Sequence, residues 1–181
     1  MLTMIAAILA AATVGHDATG PDPMAAIRQG KLRCGWPDAA LKTCRSIARY
    51  TALSDDTFDV SVDGLPSEDG LVLHYTSRGR VARNQLCIRI TADDIARSTF
   101  TKGGVTMIGT ALENARNATR ADFAPLFGRE ICDRDDPPGT DGVSASVSFV
   151  DGVLAPALDR TVKWVDVRDG YALGPLPGGM I

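Results

Sequence analysis

The sequence predicts an α+β domain: an antiparallel β-sheet of about six to eight strands, interrupted by a helical segment around residues 91–127 and preceded by a short N-terminal helix. Three observations lead there. Short runs that alternate apolar and polar residues recur between residues 31 and 90, helical signals cluster in one block after them, and strand-like runs resume beyond that block.

In chain order, Asp22-Pro23-Met24-Ala25-Ala26-Ile27-Arg28-Gln29-Gly30 offers an N-cap, a proline at the first helical position and a closing glycine, the signature of a short helix. Residues 46–53 alternate as a strand, Ser54-Asp55-Asp56 makes a turn, and residues 57–62 form the next strand. Residues 71–76 and 85–90 continue an antiparallel meander. Thr91-Ala92-Asp93-Asp94 then starts a helix with acids in its first turn, where the helix dipole favours them. Residues 95–100 make that helix, 109–117 a second, and 120–127 a third in which Ala121, Ala124 and Phe127 share a face, ended by Gly128. Strands return at 130–132, 143–150 and 160–165, with 133–142 as a Pro/Gly/Asp loop and 174–179 as an unstructured tail.

A length of 181 residues suits one domain, and 45% hydrophobic with 23% charged residues is ordinary globular usage. The net charge of −3 comes from 22 acidic and 19 basic residues that are interspersed. The densest basic stretch, Arg78-Gly79-Arg80-Val81-Ala82-Arg83, reads as a solvated strand edge and turn, so nucleic acid is not an expected partner.

The first fifteen residues carry no charged side chain, and no Lys or Arg occurs before Arg28. The run is too short to span a membrane but suits the apolar core of a secretory signal, with small residues permitting cleavage after Ala12 or Gly15. A basic leading region is missing. The expected organisation is a signal segment over 1–15 and a single disulfide-stabilised globular domain over 16–181, periplasmic or secreted, with no stable membrane span once the signal is removed. Four cysteines, Cys34, Cys44, Cys87 and Cys132, form no Cys-x-x-Cys pair, and two histidines are too few for a Cys/His zinc set. An even count behind a signal reads as disulfides of more than one possible connectivity. The preferred pairs are Cys34–Cys44, bracketing the turn Gly35-Trp36-Pro37-Asp38, and Cys87–Cys132, tying a strand to the far end of the helical excursion.

No residue set rises to a catalytic, metal or cofactor site. His16 lies at the signal junction, and His74 sits in a strand whose inward set is either Leu71, Leu73 and Tyr75 or Val72, His74 and Thr76. The second puts His74 on the more polar face. No Gly-x-Ser-x-Gly elbow supports a serine triad. The doublets Asp55-Asp56, Asp93-Asp94 and Asp135-Asp136 suit turns and caps better than facing carboxylates. The loop 133–142 holds four carboxylates, but Pro137 stands where a calcium loop needs an oxygen and no glutamate closes it, leaving a long solvated turn. Trp164 alternates with Val162 and reads as core. Trp36 packs against the small disulfide or anchors a partner, as exposed aromatics do at binding hot spots. The functional expectation is a small exported non-catalytic module that binds an envelope protein or a small ligand. The alternative is a small envelope hydrolase using His74 or paired aspartates.

Leu32-Arg33-Cys34, Pro37-Asp38, Lys42-Thr43-Cys44-Arg45-Ser46-Ile47 and Tyr50 resemble the start of a family of small exported bacterial proteins with four cysteines. Gly128-Arg129-Glu130-Ile131-Cys132, Asp151-Gly152, Trp164-Val165 and Asp169-Gly170-Tyr171 resemble its later half. The resemblance implies export and the four-cysteine framework, and brings no catalytic residue with it.

Overall fold

The computed structural model describes residues 21–67 and 69–174. The signal segment, His16 and the tail beyond Gly174 lie outside them. Thirteen strands run in chain order: β1 (Leu32–Gly35), β2 (Thr43–Cys44), β3 (Ser46–Ala52), β4 (Thr57–Gly64), β5 (Leu71–Ala82), β6 (Gln85–Arg89), β7 (Thr99–Lys102), β8 (Val105–Thr106), β9 (Glu130–Asp135), β10 (Ser144–Val150), β11 (Val153–Leu154), β12 (Arg160–Val165) and β13 (Ala172–Leu173). Helix α1 (Pro23–Arg28) precedes β1; α2 (Ala92–Arg97) and α3 (Gly109–Phe123) fall between β6 and β9.

Eight strands close on themselves. Each of β1, β3, β4, β5, β6, β9, β10 and β12 pairs antiparallel with the next, and β12 returns to β1, where Leu32 faces Val165 and Gly35 faces Val162. The predicted α+β class with an open sheet is therefore wrong: the chain is mostly β and its core is an up-and-down barrel. Seven of the eight barrel strands were visible as alternating runs and β1 was not, but alternation is in any case the same in an open sheet and a barrel. Pairing of the last long strand with the first leaves no mark on either one.

The helical segment is also smaller than expected. Residues 99–102 form β7 on the upper half of β5, and one helix replaces the two expected across 109–127, running into a 3₁₀ turn at Ala124–Leu126. Thr91 caps α2 through a reciprocal capping box with Asp94, as the sequence suggested. Arg116 of α3 donates from Nε and Nη2 to the carbonyl of Ser98 at 3.1 and 2.8 Å, which fastens α3 to α2.

One end of the barrel is shut. Asp22 caps α1 by accepting from the Met24 amide at 2.9 Å, and Met24 and Ile27 are buried against Ala48, Phe58, Val60 and Leu86. The tight turns at Ser54–Asp56 and Arg83–Asn84 lie at this same end, and the two turn residues Arg83 and Asn84 both have positive φ, as a two-residue hairpin of matching twist requires. At the other end run the longer connections, including the Cys34–Cys44 loop and the α2–α3 excursion.

The outer wall carries Arg49, Asp59, Asp63, Arg78, Arg80, Glu130 and Arg134, partly in ion pairs such as Arg78–Asp59 at 2.8 Å. That is opposite to the outward apolar band of a membrane barrel. Among the described residues no helix is long and apolar enough to cross a membrane. The stretch from Arg78 to Arg83 is not a sheet edge, since β5 is paired on both sides there.

Gly79 faces inward on β5 directly opposite Phe58, whose ring occupies the space a side chain would take. A Cβ at Gly79 would lie 2.5 Å from the Phe58 ring and 2.6 Å from the Cys87 carbonyl oxygen. Gly79→Ala is expected to cost about 1–3 kcal/mol by overpacking. Gly64, whose Cβ would meet only Ser46 at 3.9 Å, should accept alanine within about 0.5 kcal/mol. Urea unfolding of the two variants checks this, and equal midpoints would refute the packing argument.

Candidate functional site

Inside the barrel lies a cavity of about 510 Å³. Its wall is divided lengthwise by the inward positions of the strands. On β4, β5 and β6 these are Phe58, Val60, Val62, Leu73, Leu86 and Ile88; on β1, β9 and β12 they include Arg33, Ile131, Asp133 and Arg160, while Asp135, Ser146 and Ser148 face inward without lining this cavity. One side is apolar and the other polar.

The polar side is a closed ionic network. Arg33, 6% exposed, donates from Nε and Nη2 to the two oxygens of Asp135 at 3.1 and 2.6 Å, from Nη2 to Ser146 Oγ at 2.7 Å, and from Nη1 to Asp133 at 3.3 Å. Asp133 also accepts from Ser148 Oγ at 2.8 Å and from Arg160, whose Nη1 reaches the Leu158 carbonyl at 3.2 Å. Trp164 Nε1 donates to Asp135 at 3.1 Å. Two arginines and two aspartates cancel in charge, and each buried charge has a partner, as burial demands. Burial opposes the Asp135 carboxylate, but Arg33 outweighs it and holds the carboxyl below its ordinary range.

Tyr50 rises from the closed end, edge-on to Phe58 at a centroid distance of 5.2 Å and tilted against Trp164 at 5.5 Å. Tyr75 faces Val62 across the β4–β5 pair. Both phenols line the cavity, and burial raises the pKa of each. Among the described residues neither hydroxyl makes a hydrogen bond.

At the open end the cavity is rimmed by Trp36, Arg45, Leu65, Pro66, Phe123 and Leu126. The Cys34–Cys44 disulfide closes the loop that carries Trp36 and ends at Arg45, and the Arg45 guanidinium lies 5.9 Å from the centre of the Trp36 indole. Trp36, 36% exposed and with a φ of 50°, is thus a rim residue. Phe123 and Leu126 come from the end of the helical excursion, so that excursion supplies part of the mouth.

The cysteines pair as preferred, Cys34 with Cys44 and Cys87 with Cys132. Cys87 and Cys132 lie directly opposite each other on β6 and β9, outside the lumen. Glu130 shares a 4.8 Å neighbourhood with these two sulfurs, but the disulfide occupies both as ligands. Two disulfides point to an oxidising environment, extracellular or periplasmic.

Several sequence candidates fall elsewhere. Asp133 and Asp135 belong to β9 and point into the lumen, which corrects their placement in a solvated loop: opposite charge on β1, a hundred residues away in sequence, makes their burial tolerable. Asp136 lies on the opposite face, so the doublet cannot act as facing carboxylates. Asp55 and Asp56 stay in the β3–β4 turn and Asp94 in its capping box. His74 faces outward. Its Nδ1 pairs with Asp63 at 2.8 Å and its Nε2 with Thr101 Oγ1 at 3.1 Å, a row of carboxylate, imidazole and hydroxyl across β4, β5 and β7. Burial opposes the Asp63 charge, yet hydrogen bonds from His74 and Arg49 hold its carboxyl below the ordinary range.

Arg33, Asp133, Arg160 and Tyr50 were missed as lumen residues, whereas Tyr75 belongs with Leu73 to one of the two inward sets the sequence allowed. On β10 the signal ran backwards: Val147 and Phe149 face out while Ser146 and Ser148 face in, 1% and 0% exposed. Comparison with known protein families, with curated proteins and with solved structures finds no match.

Proposed function

We propose that this chain is an exported, non-catalytic binding protein that holds one small, largely apolar ligand inside its barrel. The observation that carries the reading is the cavity of about 510 Å³, shut at one end by α1, open at the other, and apolar along β4–β6. Small-molecule sites of about 300–1,000 Å³ with a few placed polar groups are typical, and eight-stranded barrels are wide enough for one such ligand. The two disulfides agree with action outside the cytoplasm, periplasmic or secreted, reached through the apolar segment over 1–15. Trp36, at the rim, is placed to touch the ligand or a protein that delivers it.

The lumen should bind a neutral apolar fluorophore such as N-phenyl-1-naphthylamine with one site per chain. Gly64 lines the mouth with open space around it, so a larger side chain there obstructs access without crowding the core. Gly64→Leu is expected to weaken the fluorophore at least about tenfold, several packed apolar contacts being lost, while leaving the unfolding midpoint unchanged. Undiminished binding in that folded variant would place the site outside the lumen.

A second reading, a hydrolase centred on His74, draws on the Asp63–His74–Thr101 row. The row lies along the outer wall. Thr101 sits between β5 and β8, where the backbone is committed to strand pairing rather than free to stabilise an oxyanion. Binding in the lumen is the better supported of the two.

A further inference from the structure

Resting on the lumen as the binding site, we infer that the ligand carries an uncharged oxygen acceptor, a ketone, aldehyde, quinone or ester carbonyl, seated against the hydroxyls of Tyr50 and Tyr75. Asp133, Asp135 and Arg33 direct their hydrogen-bonding atoms at one another, at Ser146, Ser148 and Arg160 and at Trp164. The phenols of Tyr50 and Tyr75 line the same cavity with no hydrogen-bond partner among the described residues. No buried side-chain polar atom among the described residues lacks a partner, so these two hydroxyls, bonded to nothing in the chain, are open to the cavity space, where a ligand acceptor can complete them.

The sign of that group follows from the surroundings. Burial holds both phenols protonated well above neutral pH, so each offers an O–H donor and calls for an acceptor. The four formal charges beside them already cancel. The one further arginine of the lining, Arg45, stands at the mouth with its Nε on the Leu65 carbonyl, so a carboxylate seated deeper, at the phenols, would be a fifth, uncompensated charge, and an ammonium there would face two hydroxyl donors and two arginines. An uncharged carbonyl accepts both O–H bonds without disturbing the network, while the rest of the molecule lies along Val60, Val62, Leu73 and Ile88.

The test is displacement of N-phenyl-1-naphthylamine by a series of one chain length: an n-alkane, its methyl ketone, its carboxylate and its amine. The ketone should bind about tenfold tighter than the alkane, and tighter than either charged member, as two buried hydrogen bonds allow. Tyr50→Phe and Tyr75→Phe should each cut the ketone-to-alkane ratio by about threefold. Because the ratio is taken within each variant, a general loosening of the core cancels from it. Equal affinity for ketone and alkane, preference for the carboxylate, or a ratio indifferent to both substitutions would overturn the inference while leaving the lumen as the site. If neither the fluorophore nor any member of the series binds, the lumen reading falls and the ligand class with it.

Discussion

Replacing Arg33 by methionine is expected to destabilise the fold by about 3–5 kcal/mol, the usual cost of removing one partner from a buried ion pair. Arg33 reaches both oxygens of Asp135, one of Asp133 and the Ser146 hydroxyl, all from a position 6% exposed. Without it Asp133 keeps Arg160 and Ser148, whereas Asp135 keeps only neutral donors, among them Trp164 Nε1. The loss therefore concentrates on Asp135. Arg33→Met combined with Asp135→Leu should recover most of the stability, because an apolar pair of similar volume leaves no charge behind.

The pH dependence carries a sign that separates this account from simple loss of packing. In the native chain the Asp135 carboxyl titrates below its unfolded value, so its contribution is complete above about pH 4 and fades as pH falls through the depressed folded value. In the Arg33→Met variant burial is no longer outweighed and the carboxyl titrates above its unfolded value. The deficit should then shrink as pH drops from about 7 to about 5, where the buried acid takes up a proton. Denaturant unfolding at these pH values decides it. A deficit that is constant or grows in mild acid would mean that Arg33 contributes through its packed methylenes rather than its charge.

Removing the Cys87–Cys132 bridge, as the double alanine variant, is the second large effect. The bridge spans 45 residues, against 10 for Cys34–Cys44. On the chain-entropy account these loops are worth about 4 and about 3 kcal/mol. The longer loop also contains α2, β7, β8 and α3, including Phe123 at the cavity mouth, so its loss should speed hydrogen exchange in that excursion more than in β3 or β4. The opposite ranking, with the shorter bridge costing more, would show that burial decides the matter, since Cys34 and Cys44 are both 0% exposed in a cluster with Ile47 and Val165.

The sequence by itself determined what depends on neighbours along the chain. The alternation of Phe58, Val60 and Val62 marked β4, the Asp22-Pro23 pair marked the start of α1, and Thr91 with Asp94 marked α2; each is a local rule that holds whatever the rest of the chain does. The cysteine pairing was only a preference among several connectivities: the ten-residue Cys34–Cys44 loop is local, but Cys87 meets Cys132 because β6 pairs with β9. Tertiary structure alone decided that the sheet closes, because the seam joins Leu32 to Val165 and neither strand differs from an ordinary one. It also decided which face is inside. Ser146, Ser148, Asp133 and Asp135 look like a solvated face in isolation, and they are buried because Arg33, about a hundred residues away in sequence, arrives to bond Asp133, Asp135 and Ser146, while Arg160 and Ser148 complete Asp133. A polar inner wall is stable once its partners have met, and a pattern read from one strand at a time has no means of counting partners on another.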